Sequence, residues 1–322
     1  MSMDKIAGNF GDVFKHFVLT ELIQQQLNRM NPNEQFCFYD AFGGNYISEQ
    51  CRSAAKHFHQ NIEKSTFKNK KDDCLNKLKS STYFQVMDQK MWTKPKRSNT
   101  PYFGSTKWVE EVFLMHNNNN YTFKILHNTY KKNIKDYKEN TRNQSHIPKQ
   151  IDFPSHDAYK DYEEYIKEIG CSNKGMLFID PYWNGKSKSK DRDECKKLIA
   201  FMMKHLDNHK GWSMLIWMPL YNKEYLRSAC LLETEIRKYT TQYLKCKIFK
   251  AQYPIFDLLN ANNQCLRGVR LFWIADHSLL QTVNLSTIGV KDVGKYSRPK
   301  NTKAKNYNFS EQCIVPRCHC RL

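Results

Sequence analysis

At 322 residues and 40% hydrophobic content, the chain is long enough for one large or two small domains around a real core. A formal net charge of +19 points away from cationic partners and toward anionic ones, nucleic acid first and an anionic membrane surface second. No apolar run approaches transmembrane length, MSMDKIAGNF lacks the apolar core of a signal peptide, and the 11 cysteines are mostly isolated, so a cytoplasmic protein without a membrane is expected.

The first element is a helix. Gly8, Asn9 and Gly11 mark an irregular entry, and Asp12 serves as N-cap or first-turn acid. Phe14, Phe17, Val18, Leu22 and Leu27 then follow near-helical spacing. Lys15 and His16 sit early in this helix, where a lone histidine is more often packed than ligating. Phe36 to Tyr39 reads as the first strand and runs into Asp40-Ala41-Phe42-Gly43-Gly44-Asn45-Tyr46. An acid and a glycine turn after a strand let the backbone approach a ligand, as the first βα crossing of a nucleotide-binding sheet requires. A plain tight turn explains the glycines equally well. Ile47 to Arg97 carries HFHQ, KNKKDD and KMWTKPKR, which predicts a basic, mainly helical insertion without a strong strand. Lys68, Lys70, Lys71, Lys94, Lys96 and Arg97 could contact phosphates and Trp92 could stack on a base; a solvated charged surface is the bland alternative.

Ser105 is placed to N-cap a helix bearing Val109, Val112 and Phe113. Tyr121 to Leu126 reads as a strand, residues 138–150 as a polar loop, and Asp157 as the cap of a helix over Ala158 to Ile169. Met176 to Ile179 is an apolar run of buried-strand length, followed at once by Asp180, Pro181, Tyr182 and Trp183. Ligands of open α/β sheets sit beyond the carboxyl ends of the strands. There Asp180 could accept a hydrogen bond from an exocyclic amine, Pro181 could fix the turn, and Tyr182 or Trp183 could stack on a base. A proline turn with half-buried aromatics fits the same residues. Lys186 to Arg192 is a basic loop, Glu194 to His205 a helix, Gly211 to Leu220 a strand and Lys223 to Tyr239 a charged helix. Leu244 to Tyr253 and Val269 to Ala275 read as late strands forming a hairpin pair. Cys313, Cys318, His319 and Cys320 lack the paired spacing of the usual zinc sites, and no metal is expected.

Ala7 to His16 resembles the AGNxxDVxKH opening of the RlmJ family, whose members methylate the exocyclic nitrogen of an adenine in large-subunit ribosomal RNA. Asp180-Pro181-Tyr182-Trp183 is similar to the Asp-Pro-Pro-aromatic signature of amino-methyltransferases, and Pro101 to Thr106 to the family's Tyr-Pro-Gly-Ser-Pro turn. The resemblance implies a Rossmann-like α/β domain from residues 1–46 and 101–322, interrupted by a small helical insertion subdomain at 47–100. It implies S-adenosylmethionine as cofactor, with Lys15, His16, Asp40, Phe42, Gly43, Gly44, Ser105 and Asp157 at the cofactor site. It assigns Asp180, Pro181, Tyr182 and Trp183 to the target base, a flipped adenine.

Several positions depart from that pattern. The glycine loop is about two residues shorter, Phe42 replaces a histidine and Tyr182 a proline, and Ile125 stands where the family has a ribose-binding glutamate. Three readings follow: an RNA adenine-N6 methyltransferase, a noncatalytic RNA-binding member of the same fold, or a DNA adenine methyltransferase. RNA is expected over DNA as the partner, and a monomer as the working form.

Overall fold

The computed structural model describes residues 7–31, 34–44, 46–48, 53–64, 73–91, 101–116, 122–129, 174–180, 197–206, 211–219, 244–251, 269–283 and 290–292, with single residues 209, 232, 234, 236 and 285.

Helix α1 spans Phe10–Leu27 and starts at a reciprocal capping box. Asn9 Oδ1 accepts the Asp12 N–H at 3.0 Å, and an Asp12 carboxylate oxygen accepts the Asn9 N–H at 3.3 Å. The cap is therefore Asn9, and Asp12 is its partner in the first turn. Phe14, Phe17, Val18, Leu22 and Leu27 are fully buried, and so are Val13, Leu19 and Ile23 on other sides, as for a helix enclosed by its neighbours.

Strand β1 spans Gln35–Gly43, longer than the apolar run that announced it. Its pairing with strand β4 (Thr122–Thr129) is irregular between Asp40 and Gly43, yet Gly43 still pairs with Thr129. The expected glycine turn after Asp40 is thus a continued, bulged strand, because its neighbour keeps offering backbone partners. Two short strands, β2 (Ile47–Ser48) and β3 (Tyr102–Phe103), pair antiparallel beyond it. Between them lie α2 (Ser53–Lys64), α3 (Asp73–Lys79), α4 (Thr82–Val86) and a π-helical turn over Met87–Met91. The described part of the expected insertion is helical, although β2 opens it as a strand. Phe58, Ile62, Leu78, Tyr83 and Met87 join one apolar cluster with Phe17 of α1 and Trp108 of α5 (Ser105–His116).

Strands β5 (Lys174–Ile179), β6 (Trp212–Pro219), β7 (Leu244–Ala251), β8 (Val269–Asp276) and β9 (Val290–Asp292) complete the sheet. Helical residues 197–206 form α6, and His277–Thr282 form α7, capped by Asp276. The strand order is β4-β1-β5-β6-β8-β7-β9. β4, β1, β5 and β6 run parallel; β8 is antiparallel to both β6 and β7, and β9 to β7. The expected pairing of the two late strands is present. Alternate residues of β1 and β5 face opposite sides, as strand pleating dictates. Phe36, Phe38, Met176 and Phe178 pack into the cluster of α1 and α5, whereas Cys37, Tyr39, Leu177 and Ile179 pack with Leu198, Met202 and Leu206 of α6. A mixed α/β fold with a mostly parallel sheet, buried on both faces, results. Among the described residues, no helix is long and apolar enough to cross a membrane.

Candidate functional site

After β1 the sheet is extended on one side, to β4; after β5 it is extended on the other, to β6. The carboxyl ends of β1 and β5 therefore flank a topological switch point, where open α/β sheets leave a crevice. Asp40 pairs with Phe178 across these strands, and Asp180 directly follows the last residue of β5.

The first two turns of α1 approach the same place. Lys15 Nζ lies 2.6 Å from Asp180 Oδ2 and 3.0 Å from Asp12 Oδ1. It also stands 5.8 Å from the centre of the Trp217 ring, within cation–π range. The side chains of Lys15, Asp12 and Asp180 are 12%, 17% and 22% exposed, so each is largely enclosed. The approach of α1 to β6 depends on Gly11: a Cβ there would come within 2.9 Å of the Trp217 ring.

Three carboxyl groups, those of Asp12, Asp40 and Asp180, and one ammonium lie close together at these strand ends. Burial works to lower the Lys15 pKa, but the charges of Asp180 and Asp12 and their hydrogen bonds override it and hold Lys15 above its ordinary value. Burial raises Asp180; the charge and hydrogen bond of Lys15 pull it back, while Asp12 and Asp40 push it further up. Among the described residues only Oδ2 of Asp180 is engaged, which leaves Oδ1 as an acceptor. Asp40 is fully buried, and burial pushes it up to about 6 despite its hydrogen bonds. Ser105 Oγ donates to its Oδ2, Thr106 Oγ1 donates to the same atom at 3.2 Å, and the Phe42 N–H donates to Oδ1 at 3.4 Å.

The sequence-derived site residues separate into distinct roles. Lys15 and Asp180 are brought into direct contact. Asp40 and Ser105 are also brought together, and they bind each other: Ser105 is the first residue of α5, and its hydroxyl joins the helix to β1 where the sequence predicted an N-cap. His16 is buried against the aromatic cluster, with Nδ1 3.0 Å from the Tyr102 hydroxyl and its ring beside Trp108. Burial and the neighbouring Lys15 charge lower its pKa well below the ordinary value, so it is a neutral, packed histidine. Phe42 packs at the edge of the second core cluster. Gly43 closes β1, and a Cβ on Gly44 would meet nothing within 4 Å, so open space adjoins that backbone. Asp157, Pro181, Tyr182 and Trp183 lie outside the described residues.

Sequence reasoning missed Trp217 and Thr106 and gave Asp12 only a capping role. Gly11 was the available signal for Trp217, because a glycine inside a helix often marks a close approach. On β4, Ile125 pairs with Phe38 and His127 with Asp40, so the strand end beside the crevice carries no acid at 125–128. Elsewhere, His59 of α2 has Nδ1 3.4 Å from Glu63 and Nε2 3.3 Å from Asp88 of the π-helical turn. The carboxylates lie at opposite ring nitrogens, and one ligand atom from each of the three residues falls within 4.8 Å of the others.

No family model matches the chain, and no curated protein matches it. Among solved structures, the chain is similar to the crystal structure of a Legionella pneumophila protein described by the family model DUF519. The two are 16% identical with a TM-score of 0.54, over 84% of this chain and 86% of that one. At such identity the likeness speaks for the fold alone.

Proposed function

We propose that this chain is a Rossmann-like, S-adenosylmethionine-dependent adenine-N6 methyltransferase acting on RNA, with ribosomal RNA as the first substrate to test. The observation that carries the proposal is the Lys15–Asp180 pair at the switch-point crevice, with Asp180 Oδ1 left as an acceptor. Two stretches far apart in the chain, both singled out by resemblance, meet there.

The donor set fits the cofactor. An excess of carboxylate over ammonium suits a ligand with a positive sulfur and an ammonium group, and the open backbone at Gly44 leaves room at the end of β1. Gly43, Gly44 and Phe42 are the described residues that would hold it, with Lys15 as the cation for its carboxylate. The chemistry it supplies when bound is a methyl group on a positively charged sulfur.

Lys15 keeps a positive charge against Asp180, which offsets part of the burial that would protonate the acid. Asp180 Oδ1 can then accept the N–H of an exocyclic amine and receive the proton the nitrogen gives up. Asp40, with Ser105 and Thr106, fixes the end of β1 against α5 and so fixes the floor of the crevice. The net charge of +19 supports a polyanionic substrate whose binding weakens with salt.

The test is transfer of labelled methyl from S-adenosylmethionine to unmodified large-subunit ribosomal RNA, followed by nucleoside analysis. The reading predicts N6-methyladenosine, lost in Asp180→Asn. Unlabelled RNA, or equal labelling by the variant, overturns it.

A further inference from the structure

The glycine segment at the crevice is fastened to α5 at both ends. Its near end is Asp40, bonded by Ser105 and Thr106. Its far end is Tyr46, which is 4% exposed. The Gly104 N–H donates to the Tyr46 carbonyl at 2.9 Å, and the Tyr46 hydroxyl donates to Glu110 Oε2. Lys107 Nζ lies over the Tyr46 ring at 5.4 Å and over the Phe103 ring at 5.9 Å.

This second attachment contains more charge than its burial can readily hold. Lys107, Glu110 and Glu111 are only 4%, 2% and 5% exposed. Lys107 Nζ is 3.2 Å from Glu110 Oε2 and 2.7 Å from Glu111 Oε1. Lys90, on the π-helical turn, reaches Glu111 Oε2 only at 3.9 Å. Glu110 Oε1 and Glu111 Oε2 are both buried and have no hydrogen-bond partner among the described residues. Two carboxylates thus compete for one close ammonium, and Glu110, the one further from it, is the one that holds Tyr46.

We infer that Tyr46 and Glu110 are positioning residues for the cofactor segment, and that protonation of Glu110 keeps the segment closed onto α5. A protonated Glu110 relieves its repulsion with Glu111 and still accepts from Tyr46 through Oε2. An ionised Glu110 places a second anion in an apolar wall beside Glu111, and hydration of that charge favours release of Tyr46. The groups facing Glu110 are Lys107 and Glu111 on α5 and Tyr46 from the segment after β1, with Lys90 acting through Glu111. Burial first, and the Glu111 charge second, push Glu110 up to about 8, so the closed form is lost as pH rises through that value. The consequence for cofactor affinity rests on the methyltransferase reading; the clamp itself does not.

The experiment combines two readouts on the full chain, wild type, Glu110→Gln and Tyr46→Phe, between pH 5 and 9. The first is amide hydrogen exchange of the peptide spanning residues 41–48, corrected for intrinsic exchange rates. The second is binding of S-adenosylmethionine. Wild type is expected to lose protection in this peptide across pH 5–8, between the ordinary and the raised value, Glu110→Gln to give a flat profile, and Tyr46→Phe to be less protected at every pH. Affinity is expected to follow protection, with Tyr46→Phe weaker by about tenfold. A wild-type exchange profile as flat as that of Glu110→Gln overturns the clamp. The expected exchange pattern without any cofactor binding leaves the clamp standing and sinks the methyltransferase reading instead.

Discussion

Lys15 Nζ and Asp180 Oδ2 are 2.6 Å apart although 165 residues separate them in sequence. The contact joins the second turn of α1 to the residue following β5, and it couples the charge states of both groups. Replacing Lys15 with Met removes what pulls the Asp180 pKa down, while burial and the charges of Asp12 and Asp40 remain. Methyl transfer should fall by about a hundredfold. The acidic limb of the rate profile should move to higher pH, because Asp180 then ionises later. Rates measured from pH 6 to 9 check both.

Gly11 sets how closely α1 can lie against β6. A Cβ there would sit 2.9 Å from the Trp217 ring and 3.0 Å from the capping oxygen of Asn9. Gly11→Ala should lower stability by about 1–3 kcal/mol through overpacking. It should also weaken activity, because Lys15 is one turn further along the same helix. Denaturant titration and a rate measurement on the same sample separate the two effects.

Glu21 of α1 accepts the Tyr83 N–H at 3.2 Å at the start of α4. It is 8% exposed, and burial pushes it up to about 7 despite its backbone hydrogen bonds. A carboxyl whose folded pKa is raised contributes stability that is full below the unfolded value near 4.5 and lost as pH rises through about 7. Glu21→Gln should remove this slope, worth about 3 kcal/mol across the window. Thermal unfolding of both proteins from pH 4 to 8 tests it; parallel curves would contradict it.

Ser105→Ala takes one donor from buried Asp40, which its hydrogen bonds now hold at about 6 against burial. Stability should fall by about 1 kcal/mol. The loss should be larger at pH 7 than at pH 4, since a further raised Asp40 loses more stability as pH climbs through its folded value. Unfolding at the two pH values decides this.

The sequence made the long strands readable because their apolar runs are long enough to stand out, and Phe36 to Tyr39 and Met176 to Ile179 are fully buried; the short strands β2, β3 and β9 carry no such run. The extension of β1 through Gly43 was not readable, because it depends on a neighbouring strand that keeps pairing past a bulge. Lys15 and Asp180 were each visible as residues of a motif, but their ion pair was not, since nothing local links a helix turn to a strand end. Ser105 illustrates the reverse. Its residue type suits an N-cap, and tertiary placement one position inside the helix turned its hydroxyl to Asp40. Trp217 looked like one more apolar strand residue until Gly11 and Lys15 were seen against its ring.

The most direct measurement is a calorimetric titration of S-adenosylmethionine into the purified chain. The account predicts saturable binding at micromolar concentration or tighter, about −8 kcal/mol or better. A folded protein that takes up no S-adenosylmethionine would contradict the methyltransferase reading.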